Sequence, residues 1–218
     1  MNPAPACPVC RAAAAACAFL TVQHRDYWRC GACAATFLDP AQLPDAATEL
    51  AHYDRHRNAV DDLGYRRFLA RLAGPLLERL PPVSRVLDYG CGPGPALAAM
   101  LSEAGHDVRL YDPFYRPDQA ALREAYDAIT CTEVVEHFHQ PMEEFLRLRA
   151  MLRPGGWLAV MTCFQSDDAR FANWHYRRDP THVVFYKEAT FRHLAALLEL
   201  AIEVPAKDVA ILQKPSAP

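Results

Sequence analysis

Two rhythms of apolar and polar positions run along this chain. From about residue 83 onward, short apolar runs bounded by charged or turn-forming residues alternate with stretches of helical spacing, which predicts strands and helices in turn. Strands are predicted at Val86-Leu87, 107–111, 126–130 and 157–162. Helices are predicted at 95–103, from Gln140-Pro141-Met142 up to Arg153-Pro154, and at 190–200, with proline in the first turn of the second. Alternation of this kind predicts a parallel α/β sheet, and runs 201–204 and 209–212 predict a closing, partly antiparallel pair. Upstream, Leu63, Phe68, Leu69, Leu72, Leu76, Leu77 and Leu80 recur at helical spacing until Pro81-Pro82 stop them. Gly74-Pro75 is expected to kink that helix or split it in two. Residues 19–22 and 25–29 read as two short strands ahead of a turn-rich boundary at 39–45. The expected organisation is a small module over 1–42, a linker and helical cap over 43–82, and an α/β domain over 83–218.

The densest local signal is Arg85-Val86-Leu87-Asp88-Tyr89-Gly90-Cys91-Gly92-Pro93-Gly94, an apolar run that ends in an acid and breaks into three alternating glycines. This is the strand–loop–helix corner of a parallel sheet, whose ligand site lies beyond the strand's carboxyl end. Glycines let such a loop turn sharply and a ligand approach the backbone closely. The spacing is not the dinucleotide fingerprint G-x-G-x-x-G. An acid ahead of the glycines suits a cationic amino group and would repel a diphosphate.

Composition narrows the partners. The chain has 218 residues, net charge −3 and 51% hydrophobic residues, enough for one α/β domain with an appendage. The acidic balance argues against a broad nucleic-acid-binding face. No apolar run is long enough to span a bilayer, and 1–5 do not have the pattern of a secretory signal. Of eight cysteines, Cys7, Cys10, Cys30 and Cys33 form C-x2-C-x19-C-x2-C, whereas Cys17, Cys91, Cys131 and Cys163 are scattered. That division fits a reducing, cytoplasmic compartment and one four-cysteine zinc site better than a disulfide framework. The module resembles a zinc ribbon, with the metal supplying the folding energy that some forty residues cannot. It is read as structural, and as a lid or substrate-side wall.

From Val83 on, the chain resembles class I S-adenosylmethionine-dependent methyltransferases, whose motif I is an apolar pair, an acid and G-x-G-x-G. The resemblance implies a Rossmann-like sheet and S-adenosylmethionine as cofactor, with Asp88 near its methionine end and Gly90, Gly92 and Gly94 lining it. Asp112, twenty-four residues after Asp88 at the end of the next strand, is placed to take the ribose hydroxyls; capping a turn before Pro113 is its bland alternative. Thr130 and Thr132, on the following strand, join the expected cofactor set. Leu152-Arg153-Pro154-Gly155-Gly156 before a strand is typical of the same family. One departure stands out. Only fourteen residues lie between Asp112 and Asp127, too few for the usual helix, third strand and adenine-contacting acid. The third-strand unit is therefore expected to be shortened or missing.

Glu133, Glu136 and His137 follow the fourth strand at one-turn spacing, and His182 precedes an aromatic segment. One helical turn is expected to bring Glu133, Glu136 and His137 together. The pattern resembles ubiquinone-pathway O-methyltransferases and the 2′-O-methyltransferases of small-RNA 3′ ends. In both, a divalent cation such as magnesium binds vicinal acceptor oxygens, which implies Glu133, Glu136, His137 and His182 as ligands and catalytic residues. The same residues also line the cofactor pocket in relatives without a known metal, where the histidine acts as base, so both readings stand. Phe171, Trp174, His175 and Tyr176 are candidates for an aromatic acceptor pocket, and Arg177 and Arg178 for pairing with an anionic acceptor. The expected activity is methyl transfer to a small-molecule hydroxyl. N-, C- or RNA methylation stays open beside it, as does a silent cofactor-binding scaffold that docks a protein through the ribbon.

Overall fold

The computed structural model describes residues 4–54 and 59–216. Near the N-terminus, β1 (Ala16–Val22) and β2 (Arg25–Cys30) form an antiparallel hairpin. Its two-residue turn, Gln23-His24, takes left-handed φ values of 52° and 61°, as the twist of a tight hairpin demands. β3 (Thr36–Leu38) pairs with β2, and α1 (Ala46–Tyr53) follows, capped by the Asp45 carboxylate on the Thr48 amide. α2 (Leu63–Leu77) is one helix, not a split one. Pro75 sits in its last turn, so the proline forfeits a single interior hydrogen bond, and Glu78 N–H still reaches Gly74 O.

The α/β part comprises β4 (Arg85–Tyr89), α3 (Ala96–Glu103), β5 (Asp107–Tyr111), β6 (Tyr126–Thr132), α4 (Pro141–Met151), β7 (Leu152–Met161), β8 (Val184–Phe185), α5 (Glu188–Leu197), β9 (Ala201–Ala206) and β10 (Val209–Gln213). Six strands form one sheet in the order β5-β4-β6-β7-β10-β9. The pairs from β5 to β7 are parallel, and β10 is antiparallel to both β7 and β9. β5 is the edge. Between it and β6 the described chain has only a bridge, Asp112 to Arg116, and one 3-10 turn, Ala121–Arg123, so the third-strand unit is absent. β7 begins five residues before the expected strand, because 152–156 run on from α4 as irregular extended backbone, with Gly155 at φ +76°.

Strand alternation sorts the core into two layers. Val86, Ala128, Ala159 and Ile211 pack with Leu69, Leu72, Leu76, Leu97 and Leu101 of α2 and α3. Their neighbours Leu87, Ile129, Val160 and Leu212 face Phe145 and Leu148 of α4 and Phe191 and Leu194 of α5. That second layer runs without a break into Val9, Tyr27, Phe37 and Leu38 of the N-terminal module. The module's sheet takes its fourth strand, β8, from 184–185, giving the order β1-β2-β3-β8.

Candidate functional site

The parallel strands carry their carboxyl ends to one edge, and a cleft of about 760 Å³ opens there. Gly90, Gly92 and Gly94 line it, with Asp112, Thr132, Glu133, His137 and His182. Gly90 is there because nothing else fits: φ is +77°, and a Cβ would lie 2.4 Å from Val134 Cγ2. Its amide donates to Tyr111 O at 2.7 Å. Gly92, also left-handed at +61°, donates its amide to Asp112 Oδ2 at 3.0 Å. The other oxygen of Asp112 accepts from the Phe114 and Tyr115 amides at 2.9 and 3.0 Å. The carboxylate thus caps the turn, as the blander alternative had it, and also lines the cleft.

Asp88 and Thr130 are not in the cleft wall. Asp88 is 4% exposed and accepts the Thr130 hydroxyl at 2.8 Å. Burial, reinforced by the charge of Asp112, pushes its carboxyl up to about 6. Thr132 does line the cleft, and its Oγ1 is buried with no partner among the described residues.

At the other end, Glu133 breaks the turn that was expected to unite the two acids and His137. Its φ of +53° sends the chain away, and only Val135–His137 forms a 3-10 turn. The candidate ligand atoms of Glu136, His137 and His182 lie within 4.8 Å of one another, and Glu133 is not part of that trio. Burial and the Glu136 charge push the Glu133 carboxyl up to about 9. Each histidine is held by its inner nitrogen. His137 Nδ1 lies 3.0 Å from Thr181 O and His182 Nδ1 lies 2.7 Å from Tyr176 O. A carbonyl only accepts, so both Nδ1 atoms carry a proton, while His137 Nε2 lies 3.9 Å from Glu136 Oε1 and His182 Nε2 3.8 Å from Asp179 Oδ2. Burial drives His182 down to about 4, leaving it neutral near pH 7. Glu136 is fully buried; Tyr176 donates to its Oε1 at 2.5 Å, and Oε2 has no partner among the described residues. Two imidazole nitrogens and a carboxylate whose ligand atoms lie this close together make a donor set of a kind that fits a divalent cation.

Glu49, which the sequence did not single out, lines the cleft from α1 together with Tyr53, and His52 lies on the same face of that helix. Glu49 pairs with His139 at 2.9 Å and His52 with Asp179 at 3.0 Å, while the Tyr53 ring meets His137 and Phe114 edge-on. Arg55 to Asn58, which follow α1, lie outside the described residues. His175 and Tyr176 line the cleft, whereas Phe171 packs between Tyr27 and Phe185, both at 5.0 Å. Arg177 is 2% exposed and donates to Gln23 and the Ala172 carbonyl, away from any acceptor.

In the N-terminal module, Cys7, Cys10, Cys30 and Cys33 bring their sulfurs together, with Cys7 to Cys33 and Cys10 to Cys30 both at 3.6 Å. Tetrahedral zinc–thiolate bonds of about 2.3 Å imply sulfur separations of about 3.8 Å, so the four thiols fit a zinc ion.

Residues 53–203 match the family model described as a methyltransferase domain. The chain belongs to that family. Among curated proteins it is 31% identical over 119 residues to a ubiquinone biosynthesis O-methyltransferase of Bordetella avium, covering 44% of this chain and 47% of that protein. It is 32% identical over 156 residues to a biotin biosynthesis bifunctional protein of the same organism, covering 60% and 31%. The chain therefore spans about half the length of the first relative and under a third of the second. Among solved structures, it resembles a Burkholderia thailandensis 1,6-didemethyltoxoflavin-N1-methyltransferase holding its substrate and S-adenosylhomocysteine. That match has a TM-score of 0.55 at 20% identity and covers 90% of this chain and 98% of the other. At that identity the likeness is one of fold. No helix among the described residues is long and apolar enough to cross a membrane.

Proposed function

We infer that this methyltransferase domain moves the sulfonium methyl group of S-adenosylmethionine to a hydroxyl of a small-molecule acceptor. The observation that carries the reading is the placement of His137 and His182 in the same cleft as the glycine loop, with the buried Glu136 carboxylate within 4.8 Å of both. The O-methyltransferase relative agrees with the hydroxyl acceptor, and a neighbour of the same fold, itself an N-methyltransferase, holds S-adenosylhomocysteine and supports the cofactor alone. S-adenosylmethionine supplies an electrophilic methyl carbon on a cationic sulfur. This chain's task is to hold the acceptor oxygen in line with it and take the acceptor's proton. Gly92, where a Cβ would meet nothing within 4 Å, leaves room at the backbone, and Asp112 presents acceptor oxygens. His137, oriented by its Nδ1 contact to Thr181 O at 3.0 Å, is the candidate base. Glu136, His137 and His182 would hold a divalent cation, which lowers the pKa of a bound hydroxyl. Glu133 stands outside this set and lines the cleft beside it.

Titration calorimetry of the zinc-loaded protein with S-adenosylhomocysteine tests the donor side, and micromolar binding is expected. Catechols and other diols, assayed with magnesium, with manganese and with EDTA, test the acceptor side. Full activity in EDTA would remove the cation and leave His137 as base. No detectable binding of S-adenosylhomocysteine would overturn the enzymatic reading and bring the scaffold role forward.

A further inference from the structure

We propose that the four-cysteine module positions His182, so that zinc occupancy sets the geometry of the Glu136–His137–His182 trio some 150 residues away in sequence. The proposal rests on the reading of that trio as the transfer site. Its basis is a continuous run of backbone hydrogen bonds. The second cysteine knuckle closes through Ala34 N–H to Cys30 O and Cys30 N–H to Ala35 O, at 3.0 and 2.9 Å, and leads at once into β3. β3 pairs with β8 in the register Thr36 to Phe185 and Phe37 to Val184. Leu38 N–H then donates to Val183 O at 2.8 Å, and Val183 N–H donates to Glu136 O at 2.9 Å. Val183, the neighbour of His182, is thus held between the module on one side and Glu136 on the other.

Side chains repeat the connection. Arg25 Nη2 donates to Pro180 O at 3.0 Å, Thr36 Oγ1 to Gln165 Oε1 at 2.7 Å, and Arg29 forks onto both oxygens of Asp168 at 2.9 and 3.2 Å. Phe171 is wedged between Tyr27 of the module and Phe185. The segment between β7 and β8 that supplies Tyr176, Asp179 and His182 has, among the described residues, only two single 3-10 turns of its own. It is ordered by what it lies against. A four-stranded sheet whose fold depends on a metal transmits the metal's binding energy to whatever is paired with its last strand.

Hydrogen exchange read by mass spectrometry tests this on the full chain, with and without zinc. Removal of zinc by a chelator is expected to speed exchange at 178–186 at least tenfold. Exchange at 85–91 and the dissociation constant for S-adenosylhomocysteine should move less than threefold, and added zinc should restore protection. Unchanged protection at 178–186 would overturn the proposal. So would equal loss at 85–91, because the module would then be a general stabiliser. Should the stripped protein precipitate, Arg25→Ala carries the same test, since it keeps all four thiols and removes only the guanidinium from Pro180 O. It is expected to retain one zinc per chain and its S-adenosylhomocysteine affinity while 178–186 exchanges several-fold faster, with Arg25→Lys recovering part of the protection. A zinc-loaded Arg25→Ala protein that exchanges like the parent would sink the idea. Failure of S-adenosylhomocysteine to bind the parent would count against methyl transfer and leave the coupling standing.

Discussion

Asp88→Asn isolates the cost of keeping an acid behind the glycine loop. The carboxyl has an ordinary value of 3.8 and is raised to about 6 in the fold, chiefly by burial. A group whose folded pKa lies above its unfolded one contributes stability that is fully present below the unfolded value and is lost as pH rises through the folded one. At 1.36 kcal/mol per unit, the gap from 3.8 to about 6 is worth about 3 kcal/mol. Asparagine has no proton to lose and keeps an oxygen for the Thr130 hydroxyl, which now sits 2.8 Å from Asp88. In urea unfolding without cofactor, the variant is therefore expected to exceed the parent by up to about 3 kcal/mol at pH 7.5. The difference should fall to about half near pH 5 and vanish below pH 4. Every other titrating group is common to both proteins and cancels. The same change should weaken S-adenosylhomocysteine binding at least tenfold, because the variant lacks the negative charge that a cationic amino group in the cleft would offset. Equal stability at pH 7.5, or a difference that does not change with pH, would refute the argument.

Gly90→Ala must accommodate a Cβ 2.4 Å from Val134 Cγ2 in a left-handed backbone, whereas at Gly92 a Cβ would meet nothing within 4 Å. Thermal melts should show Gly90→Ala losing about 2–4 kcal/mol and Gly92→Ala only about 1–2; equal losses would mean that Val134 moves aside freely. Tyr176→Phe strips the hydroxyl from Glu136 Oε1 and leaves that buried carboxylate with neither oxygen bonded. A loss of about 2–3 kcal/mol in urea is expected, and a neutral result would mean that water reaches the site. Phe171→Ala empties the contact among Phe19, Tyr27 and Phe185, with an expected cost of about 3–5 kcal/mol by chemical denaturation; a cost under 1 would show that the module is not packed there.

What could be read from the sequence was what is local. The glycine corner, the strand periods on either side of it and the paired C-x2-C turns each complete their chemistry within a few residues, and the absent third strand follows from a residue count. Non-local pairings carry no such mark. β8 is two residues long and becomes a strand only because β3 lies beside it. The helix α1 owes its placement to Glu49, His52 and Tyr53 meeting side chains from three other parts of the chain. Glu133 illustrates the limit most sharply. Its spacing from Glu136 and His137 suits a helical turn, yet a left-handed φ, fixed by its amide on Met161 O at 2.8 Å, takes it out of the trio. Strain of that kind in a non-glycine residue persists only where the surroundings impose it, and here the imposing partner is the end of the neighbouring strand β7. This end of the cleft is thus held by hydrogen bonds to three backbone carbonyls, two of them distant in sequence, those of Met161 and Thr181, and the third that of Tyr176. A carbonyl is common to every residue, so no choice of amino acid at those positions announces the role.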